Sequence, residues 1–235
     1  MAKRIGVVLS GAGWGDGSDA AETMQAIVCA ERAGAKIICA APDRDQRTVV
    51  DHLTGGIVQG GEAATRNARV EAARLSGGPV LPLAELRPEG IDALLIPGGG
   101  GAGTTLSDYA DKHELCTVDP DLAKLLRALL PAHKPMGFIG LSALLAARVL
   151  GPVAGVRVTL GPKGTALAKH AAVMGADVRP ATPADVISDE KARVHTTPGF
   201  LGEDPTLPMV AKAIEQLVRA VLGGKPGGGR RPPRT

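Results

Sequence analysis

Short apolar runs alternate with amphipathic stretches along most of the chain, and glycine or proline separates one from the next. Apolar runs bounded by turn residues predict buried strands at residues 4–9, 36–40, 93–96, 136–139, 156–159, 186–188 and 193–195. Helical periodicity and capping residues predict helices at about residues 20–33, 65–75, 120–132, 143–150 and 206–222. Because strands and helices alternate, we expect a doubly wound, mostly parallel α/β sheet sandwiched by helices.

The composition fits one domain spanning residues 1–222, because hydrophobic residues make up 44% of the chain. Aromatic residues are only 2%, so the core is expected to be aliphatic and nucleic acid is not expected as a partner. Of the net charge of +3, residues 223–235 contribute +4 through Lys225, Arg230, Arg231 and Arg234, and the rest of the chain contributes −1. We expect this segment to be a flexible basic Gly/Pro tail, either dispensable or in contact with nucleic acid or an anionic surface.

The cysteine pattern gives no sign of a disulfide scaffold or a metal site. Cys29, Cys39 and Cys116 are odd in number and widely spaced. No apolar run approaches the roughly 18 residues of a membrane span, and no signal-peptide pattern is found. We therefore expect a cytoplasmic protein without a membrane partner and without a metal.

Three predicted strands end in glycine-rich segments, at residues 11–17, 98–103 and 137–140. Ligands of such sheets bind beyond the carboxyl ends of the strands, and glycine lets backbone N–H groups approach them closely. The pattern Gly15-x-Gly17-x-x-Ala20 fits a relaxed dinucleotide fingerprint, but Gly15 lies six residues beyond the strand end, too far for the usual tight turn. We therefore expect a small-molecule site without a nicotinamide or flavin cofactor.

The strand at residues 136–139 breaks sharply into a helix, which is the geometry of a nucleophile elbow. The sequence Gly140-Leu141-Ser142-Ala143-Leu144 resembles the G-x-S-x-G motif except at its last position. Ser142 is therefore either a nucleophile or the N-cap of the following helix, and the cap is the commoner role.

Several motifs in one order resemble a known family. They lie at residues 5–22 (IGVVLSGAGWGDGSDAAE), 41–46 (APDRDQ), 51–56 (DHLTGG), 65–75 (TRNARVEAARL), 94–110 (LLIPGGGGAGTTLSDYA), 116–122 (CTVDPDL), 134–140 (KPMGFIG) and 196–200 (TTPGF). The chain resembles the ElbB-type, glyoxalase-like "enhancing lycopene biosynthesis" proteins over about residues 4–222. That family belongs to the PfpI/ThiJ branch of the class I glutamine-amidotransferase-like superfamily.

The resemblance implies a flavodoxin-like fold, a homodimer and three functional parts. These are a nucleophilic cysteine at the elbow, an acid in the first helix and backbone N–H donors after the PGG strand end. The acid corresponds to Glu22 and the donors to Gly98 and Gly99, but the elbow position is Gly140. Since glycine cannot form a thiohemiacetal, a thiol-dependent glyoxalase or amidotransferase is not expected. Cys116 matches the family without the nucleophile's role and is interpreted as structural.

Further candidates complete the predicted site. His195, where the relatives usually carry an apolar residue, is either a replacement acid or base or a histidine with a structural role. Trp14 is expected to form a wall of the ligand site. Gly13, Gly100 and Thr197 are predicted to contact substrate.

Two functions follow from these residues. The first is a cofactor-free lyase, isomerase or hydrolase that acts on a small carbonyl-bearing metabolite. Glu22 would transfer protons and the backbone of Gly98, Gly99 and Gly140 would hold an oxyanion, without a covalent cysteine step. The alternative is a catalytically inactive protein that keeps the pocket for a metabolite or a protein partner.

Overall fold

The structure is a computed structural model that describes residues 2–60 and 65–223. Almost all of the predicted basic tail, residues 224–235, lies outside the described residues. The strands are β1 (Arg4–Val8), β2 (Lys36–Ala41), β3 (Val50–Asp51), β4 (Gly56–Ile57), β5 (Val80–Pro82), β6 (Ala93–Ile96), β7 (Met136–Ile139), β8 (Arg157–Val158), β9 (Asp177–Val178), β10 (Ile187–Asp189) and β11 (Val194–Thr197).

Seven strands form one sheet in the order β10-β11-β7-β6-β1-β2-β5. All neighbours in it run parallel except β10, which pairs antiparallel with β11 at one edge. The chain therefore starts near the middle of the sheet and winds outward in both directions. The predicted flavodoxin-like, doubly wound α/β fold is confirmed.

The helices are α1 (Ala20–Arg32), α2 (Ala68–Ser76), α3 (Gly101–Thr104), α4 (Tyr109–Lys112), α5 (Pro120–Leu129), α6 (Ala143–Ala154), α7 (Ala166–Val173) and α8 (Leu207–Val221). Asp19 caps α1 by accepting a hydrogen bond from the Glu22 N–H, and Asp119 caps α5 in the same manner. Both caps begin helices where the sequence predicts them. None of the helices in the described part of the chain is both long and apolar enough to cross a bilayer.

The two faces of the sheet bury separate aliphatic cores. One core packs β6 and β7 against α5, α6 and α7, and the other packs β1 and β7 against α1 and α8. Phe138 lies fully buried in the first core, among leucine and alanine side chains. This agrees with an aliphatic core and gives a three-layer arrangement of helices, sheet and helices.

Several short elements differ from the sequence prediction. The run at residues 156–159 does not join the main sheet, because β8 pairs instead with β9 in a separate two-stranded sheet. The sequence analysis did not predict strands β3, β4 and β5 or helix α7. Each of these four elements is short and has too few residues to show a clear periodicity.

Candidate functional site

A cavity of about 320 Å³ opens at the carboxyl ends of the central strands. Its wall is formed by Trp14, Gly15, Asp19, Glu22, Gly99, Gly100, Gly140, Leu141, Phe200 and Leu201. The volume is that of a site for a small molecule. Its position is the one predicted from the glycine-rich strand ends.

Glu22 lies in the first turn of α1 and is the most buried acid of this wall, with 2% of its surface exposed. Its Oε2 accepts a hydrogen bond from the Gly98 N–H at 2.8 Å, and its Oε1 accepts one from the Phe200 N–H at 3.2 Å. Burial, assisted by the charge of Asp19, raises the pKa of Glu22 from 4.5 to about 7, although the two N–H donors oppose the shift. Such a carboxyl group can both give and take a proton near neutral pH.

Gly140 follows β7 and adopts a left-handed φ of +57° before a 3₁₀ turn, Gly140–Ser142, leads into α6. A Cβ atom placed on Gly140 would lie 3.3 Å from Glu22 Oε1 and 3.5 Å from Oε2. The turn is therefore a sharp elbow whose side chain, if it had one, would face the carboxyl group of Glu22. The predicted elbow is present, and it carries no nucleophile.

The glycines of residues 98–101 serve mainly to let two loops pack together. Gly100 donates its N–H to Trp14 O at 2.7 Å, and Gly101 donates to Gly17 O at 2.9 Å. Side chains on Gly99 and Gly100 would overlap the backbone of residues 15–19. This close approach explains the glycine run without any ligand.

The predicted oxyanion donors must be corrected accordingly. The N–H groups of Gly98 and Gly100 are already used, by Glu22 and by Trp14 O, and Gly98 is absent from the cavity wall. The Gly140 N–H continues the ladder between β7 and β11, because the pairing of Ile139 with Thr197 requires it to donate to Thr197 O. Within residues 2–60 and 65–223, no acceptor engages the N–H of Gly99 and no side chain accepts from that of Leu141, and both residues line the cavity. The donors left for a substrate oxygen are therefore the N–H of Gly99 and, at the elbow, that of Leu141.

Ser142 is not available as a nucleophile. Its side chain is fully buried, donates to Ile96 O at 2.7 Å and accepts from the Ile139 N–H at 3.0 Å. It makes no side-chain capping bond to α6 either. The hydroxyl group instead ties the end of β7 to the end of β6, which fixes the elbow.

His195 and Thr197 also lie outside the cavity wall. His195 pairs in register with Gly137, three residues before the elbow, and its Nδ1 lies 2.8 Å from the Ser188 hydroxyl. Burial lowers the pKa of His195, so the structure favours a buried neutral histidine over an acid or base at the site. Thr197 is buried beside Ile139, and its hydroxyl group has no partner among the described residues.

Trp14 is the most exposed aromatic side chain at the cavity, with 60% of its surface accessible. The Trp14 and His52 rings pack in a T-shaped arrangement, and His52 Nε2 accepts a hydrogen bond from the Gly15 N–H at 3.3 Å. Gly13 lies behind this wall, where a side chain would overlap His52. The predicted wall at Trp14 is present, whereas Gly13 supports it from outside the cavity.

Sequence reasoning missed part of the wall. No motif singles out Leu141, Phe200 or Leu201 as a lining residue, and the pattern at Asp19 indicates only a helix cap. Phe200 and Leu201 belong to a 3₁₀ turn, Gly199–Leu201, which follows β11 directly. The proline and glycine after that strand were the available signal, since ligand-binding turns lie at strand ends.

The three cysteines lie away from this cavity and are buried, and burial raises the pKa of each thiol. In the described ranges, no group of three potential ligand side chains is placed to hold a metal ion. The N-terminus of α1, where a dinucleotide fingerprint would hold phosphate, instead carries the carboxylates of Asp19 and Glu22.

A doubly wound sheet with a sharp elbow facing a buried glutamate from the first helix defines a class of protein, the class I glutamine-amidotransferase-like proteins. A solved structure from Ehrlichia chaffeensis, named as an isoprenoid biosynthesis protein with an amidotransferase-like domain, superposes with a TM-score of 0.84 and 26% identity, covering 94% of this chain and 99% of that one. A ThiJ/PfpI domain protein from Brachyspira murdochii shares the fold at a TM-score of 0.59 and 18% identity, covering 94% and 97% of the two chains.

Relatives found by sequence similarity narrow the assignment from this class to a family. The chain is 36% identical over 231 residues to human "Glutamine amidotransferase-like class 1 domain-containing protein 3, mitochondrial", covering 94% of this chain and 83% of the human protein. It is 34% identical to the rat "ES1 protein homolog, mitochondrial", covering 93% and 83%. The chain belongs to this ES1 family of glutamine-amidotransferase-like proteins. No protein-family model matches it.

Proposed function

We propose that the protein is a cofactor-free enzyme that moves protons on a small carbonyl compound, with Glu22 as its acid and base. One observation carries the proposal. A glutamate with a pKa of about 7 lines a cavity of small-molecule size. A carboxyl group that is half ionised near neutral pH suits proton transfer, and burial of this kind is commonest at functional sites.

The reaction would start with removal of a proton from the carbon next to the carbonyl group by Glu22. The electron pair left behind moves into the carbonyl oxygen and gives an enolate. The N–H groups of Gly99 and Leu141 would donate hydrogen bonds to that negative charge. If the α-carbon carries a hydroxyl group, the hydroxyl proton moves to the former carbonyl oxygen and Glu22 returns its proton to the former carbonyl carbon, which gives an isomerase. If the β-carbon carries a leaving group, its loss from the enolate gives a lyase. A hydrolase would use Glu22 to take a proton from water.

The charge of the wall favours an uncharged substrate. Its ionisable residues are Asp19 and Glu22, and it contains no lysine, arginine or histidine. A carboxylate or phosphate ester would therefore meet two acids and no cation. Trp14, Phe200 and the leucines of the wall suit a partly apolar molecule.

We further propose an ElbB-type assignment, in which Gly140 stands where thiol-dependent relatives carry cysteine. The similarity to the Ehrlichia protein, whose name refers to isoprenoid biosynthesis, supports this finer placement. Without a thiol at the elbow, neither a thiohemiacetal nor a glutamyl thioester can form. We expect negligible lactate from methylglyoxal.

Proton exchange tests the function even while the natural substrate is unidentified. Hydroxyacetone, dihydroxyacetone and butanone are incubated with the protein in D₂O, and ¹H NMR follows loss of the C–H signal beside the carbonyl group. We expect catalysed exchange for uncharged compounds and at least tenfold slower exchange for pyruvate and dihydroxyacetone phosphate. Glu22→Gln should lower the rate by about 10²-fold or more, as for loss of a general base. Exchange unchanged in Glu22→Gln would contradict the proposal.

The matched control is Glu31→Gln, which removes an exposed carboxylate from the far end of the same helix. It should leave exchange unchanged. Equal losses in both variants would point to a general effect of charge on the helix.

An inactive binding protein is the second candidate. The observation in its favour is that Glu22 occupies the Gly98 N–H, one of the donors expected for an oxyanion. In that case the compounds that bind would show no exchange and no conversion, and Glu22→Gln would alter binding only.

Assembly and location complete the proposal. We propose that the protein is a homodimer, and light scattering after gel filtration tests this by measuring its molar mass. We also propose that it binds a small molecule and neither nucleic acid nor membrane. We propose the cytoplasm as its compartment. Because the human and rat relatives are named as mitochondrial, imaging of a tagged full-length protein decides this point.

A further inference from the structure

A second cavity lies beside α5 and α6 and shares no residue with the first. Its volume is about 440 Å³, and its wall combines the segment before α5 with side chains of α5 and α6. The wall is formed by Cys116, Thr117, Val118, Pro120, Ala123, Arg127, Arg148, Val149, Pro152 and Val153. None of these residues takes part in the proposed proton transfer.

The charge of this wall is positive only. Arg127 and Arg148 are its ionisable groups apart from the buried Cys116 thiol, and no aspartate or glutamate belongs to it. Across the described parts of the chain, neither guanidinium group has a carboxylate within ion-pair distance. Asp108, whose charge reaches Cys116, is instead paired with Lys112 at 2.8 Å. The cavity therefore has two cations to offer and no internal counterion.

The guanidinium group of Arg148 is fixed in orientation but keeps donors for a ligand. It is half-buried on α6, and its Nε donates a hydrogen bond to Cys116 O at 2.6 Å. This bond fixes the guanidinium plane, while its two terminal amino groups have no hydrogen-bond partner within the described residues. A fixed guanidinium group with free terminal donors is suited to bidentate binding of a carboxylate or phosphate.

The remaining wall is mostly apolar. Val118, Ala123 and Val149 are buried beneath the cavity, and Val153 is exposed at its edge. An inorganic ion alone would leave this surface uncovered. We propose that the cavity binds a small organic anion, with its carboxylate or phosphate on Arg148 and Arg127 and its apolar part against the valines and Pro152.

Calorimetry with phenyl phosphate, benzoate and phenol tests this site on the full-length protein. Both anions should bind, with affinity that falls as salt is added, and phenol, which has the same ring, should bind at least tenfold more weakly. The stronger of the two anions identifies phosphate or carboxylate as the natural group. Because the single tryptophan, Trp14, lines the other cavity, its fluorescence should stay unchanged on binding.

Arg148→Gln and Arg127→Gln should each weaken anion binding, and the double variant should lower the affinity at least tenfold. Arg127 is exposed, so its variant tests the site even where loss of the Arg148 bond to Cys116 O disturbs folding. Arg32→Gln, an exposed arginine at the end of α1, is the control and should bind normally. The proposal would be overturned if neither anion bound at millimolar concentration or if phenol bound with the same affinity as the anions. Unchanged anion affinity in the double variant would overturn it as well.

Discussion

Glu22 illustrates how single residues set the chemistry of this cavity. Side chains on Gly98, Gly140 or Gly199 would press against its carboxyl oxygens, so glycine at these positions gives the acid its room. The same crowding by backbone removes water, and this desolvation is the largest cause of the raised pKa. The acid is therefore tuned by the backbone around it more than by any charged neighbour.

Ser142 allows a test of structural against catalytic roles. Ser142→Ala should lower the free energy of unfolding by about 1–3 kcal/mol, because the buried Ile139 N–H loses its acceptor. Exchange activity per folded molecule should stay near the wild-type value. Denaturant unfolding and the exchange assay measure both. Thr105→Val is the control, since it removes a buried hydroxyl group without a partner among the described residues and should cost less. A hundredfold loss of activity in folded Ser142→Ala would restore the serine as a catalytic residue.

Gly140 tests whether the elbow faces the cavity. Gly140→Cys and Gly140→Ala should each cost about 1–3 kcal/mol of stability, because a side chain is strained at a φ of +57°. Gly140→Cys alone should gain one thiol that reacts rapidly with iodoacetamide, since the three native thiols are buried. Mass spectrometry after brief labelling measures the difference. Labelling no faster than in wild type would mean that position 140 does not face solvent.

Residue roles were only partly predictable from sequence. Glu22 and the elbow came from motifs that preserve their spacing, and the structure brings both to one cavity. The structure does not support the catalytic roles considered for Ser142 and His195, because position along the chain does not say how deep a side chain lies, and it favours the structural alternative for His195. Three residues of strand separate His195 from the level of the elbow, which is enough to bury it beside β10.

At the level of elements, the first loop and the segment after β6 form one packed unit. The Asp19 N–H donates to Gly98 O, while Gly100 and Gly101 donate to carbonyl groups of the first loop. Within the first loop, the Ser18 hydroxyl accepts from the Ser10 N–H. This unit carries Trp14 on one side and delivers Glu22 on the other, so its packing positions two walls of the cavity.

Gly100→Ala tests that packing. Its backbone conformation is open to any residue, with φ at −60°, but an added methyl group would overlap Gly15 O. We expect the free energy of unfolding to fall by about 1–3 kcal/mol, which is typical of overpacking. We also expect a change in Trp14 fluorescence as the first loop shifts. Gly90→Ala, whose methyl group would meet open space, is the control. Equal stability of the two variants would show that the loops are not in contact.

The glycine-rich strand ends do mark the cavity, but ligand contact is not their main role. Sequence offers no means to separate a glycine that admits a ligand from one that admits another loop. Gly99 and Gly100 admit another loop, because a side chain on either α-carbon would overlap the backbone of the first loop. Gly99 also has an N–H group that no described acceptor engages.

For the whole molecule, the long central elements were predictable and the edges were not. Fully apolar strands such as β6 and β7, and amphipathic helices such as α5 and α8, carry a clear period. Two- and three-residue strands carry none, and their pairing depends on tertiary contacts. The order of strands in the sheet was not predicted, because local pattern does not fix which strands become neighbours.

Glu22 also links global stability to pH. A folded pKa of about 7 lies above the ordinary value of 4.5, so the folded state binds the proton more tightly. The stability from this group is fully present below pH 4.5 and is lost as pH rises to about 7. Between pH 5 and pH 8, the free energy of unfolding of wild type should therefore fall by about 2 kcal/mol more than that of Glu22→Gln. Urea unfolding at both pH values measures the change, and parallel pH dependence of the two proteins would contradict it.

The most direct measurement is the titration of Glu22 itself. The protein is labelled with ¹³C at the glutamate carboxyl carbon, and NMR follows the resonances of wild type and Glu22→Gln from pH 3 to pH 9. We predict one resonance that titrates near pH 7 in wild type and is missing from the variant. If the resonance absent from Glu22→Gln titrates near pH 4.5, Glu22 is an ordinary acid and the proposed proton transfer at neutral pH is wrong.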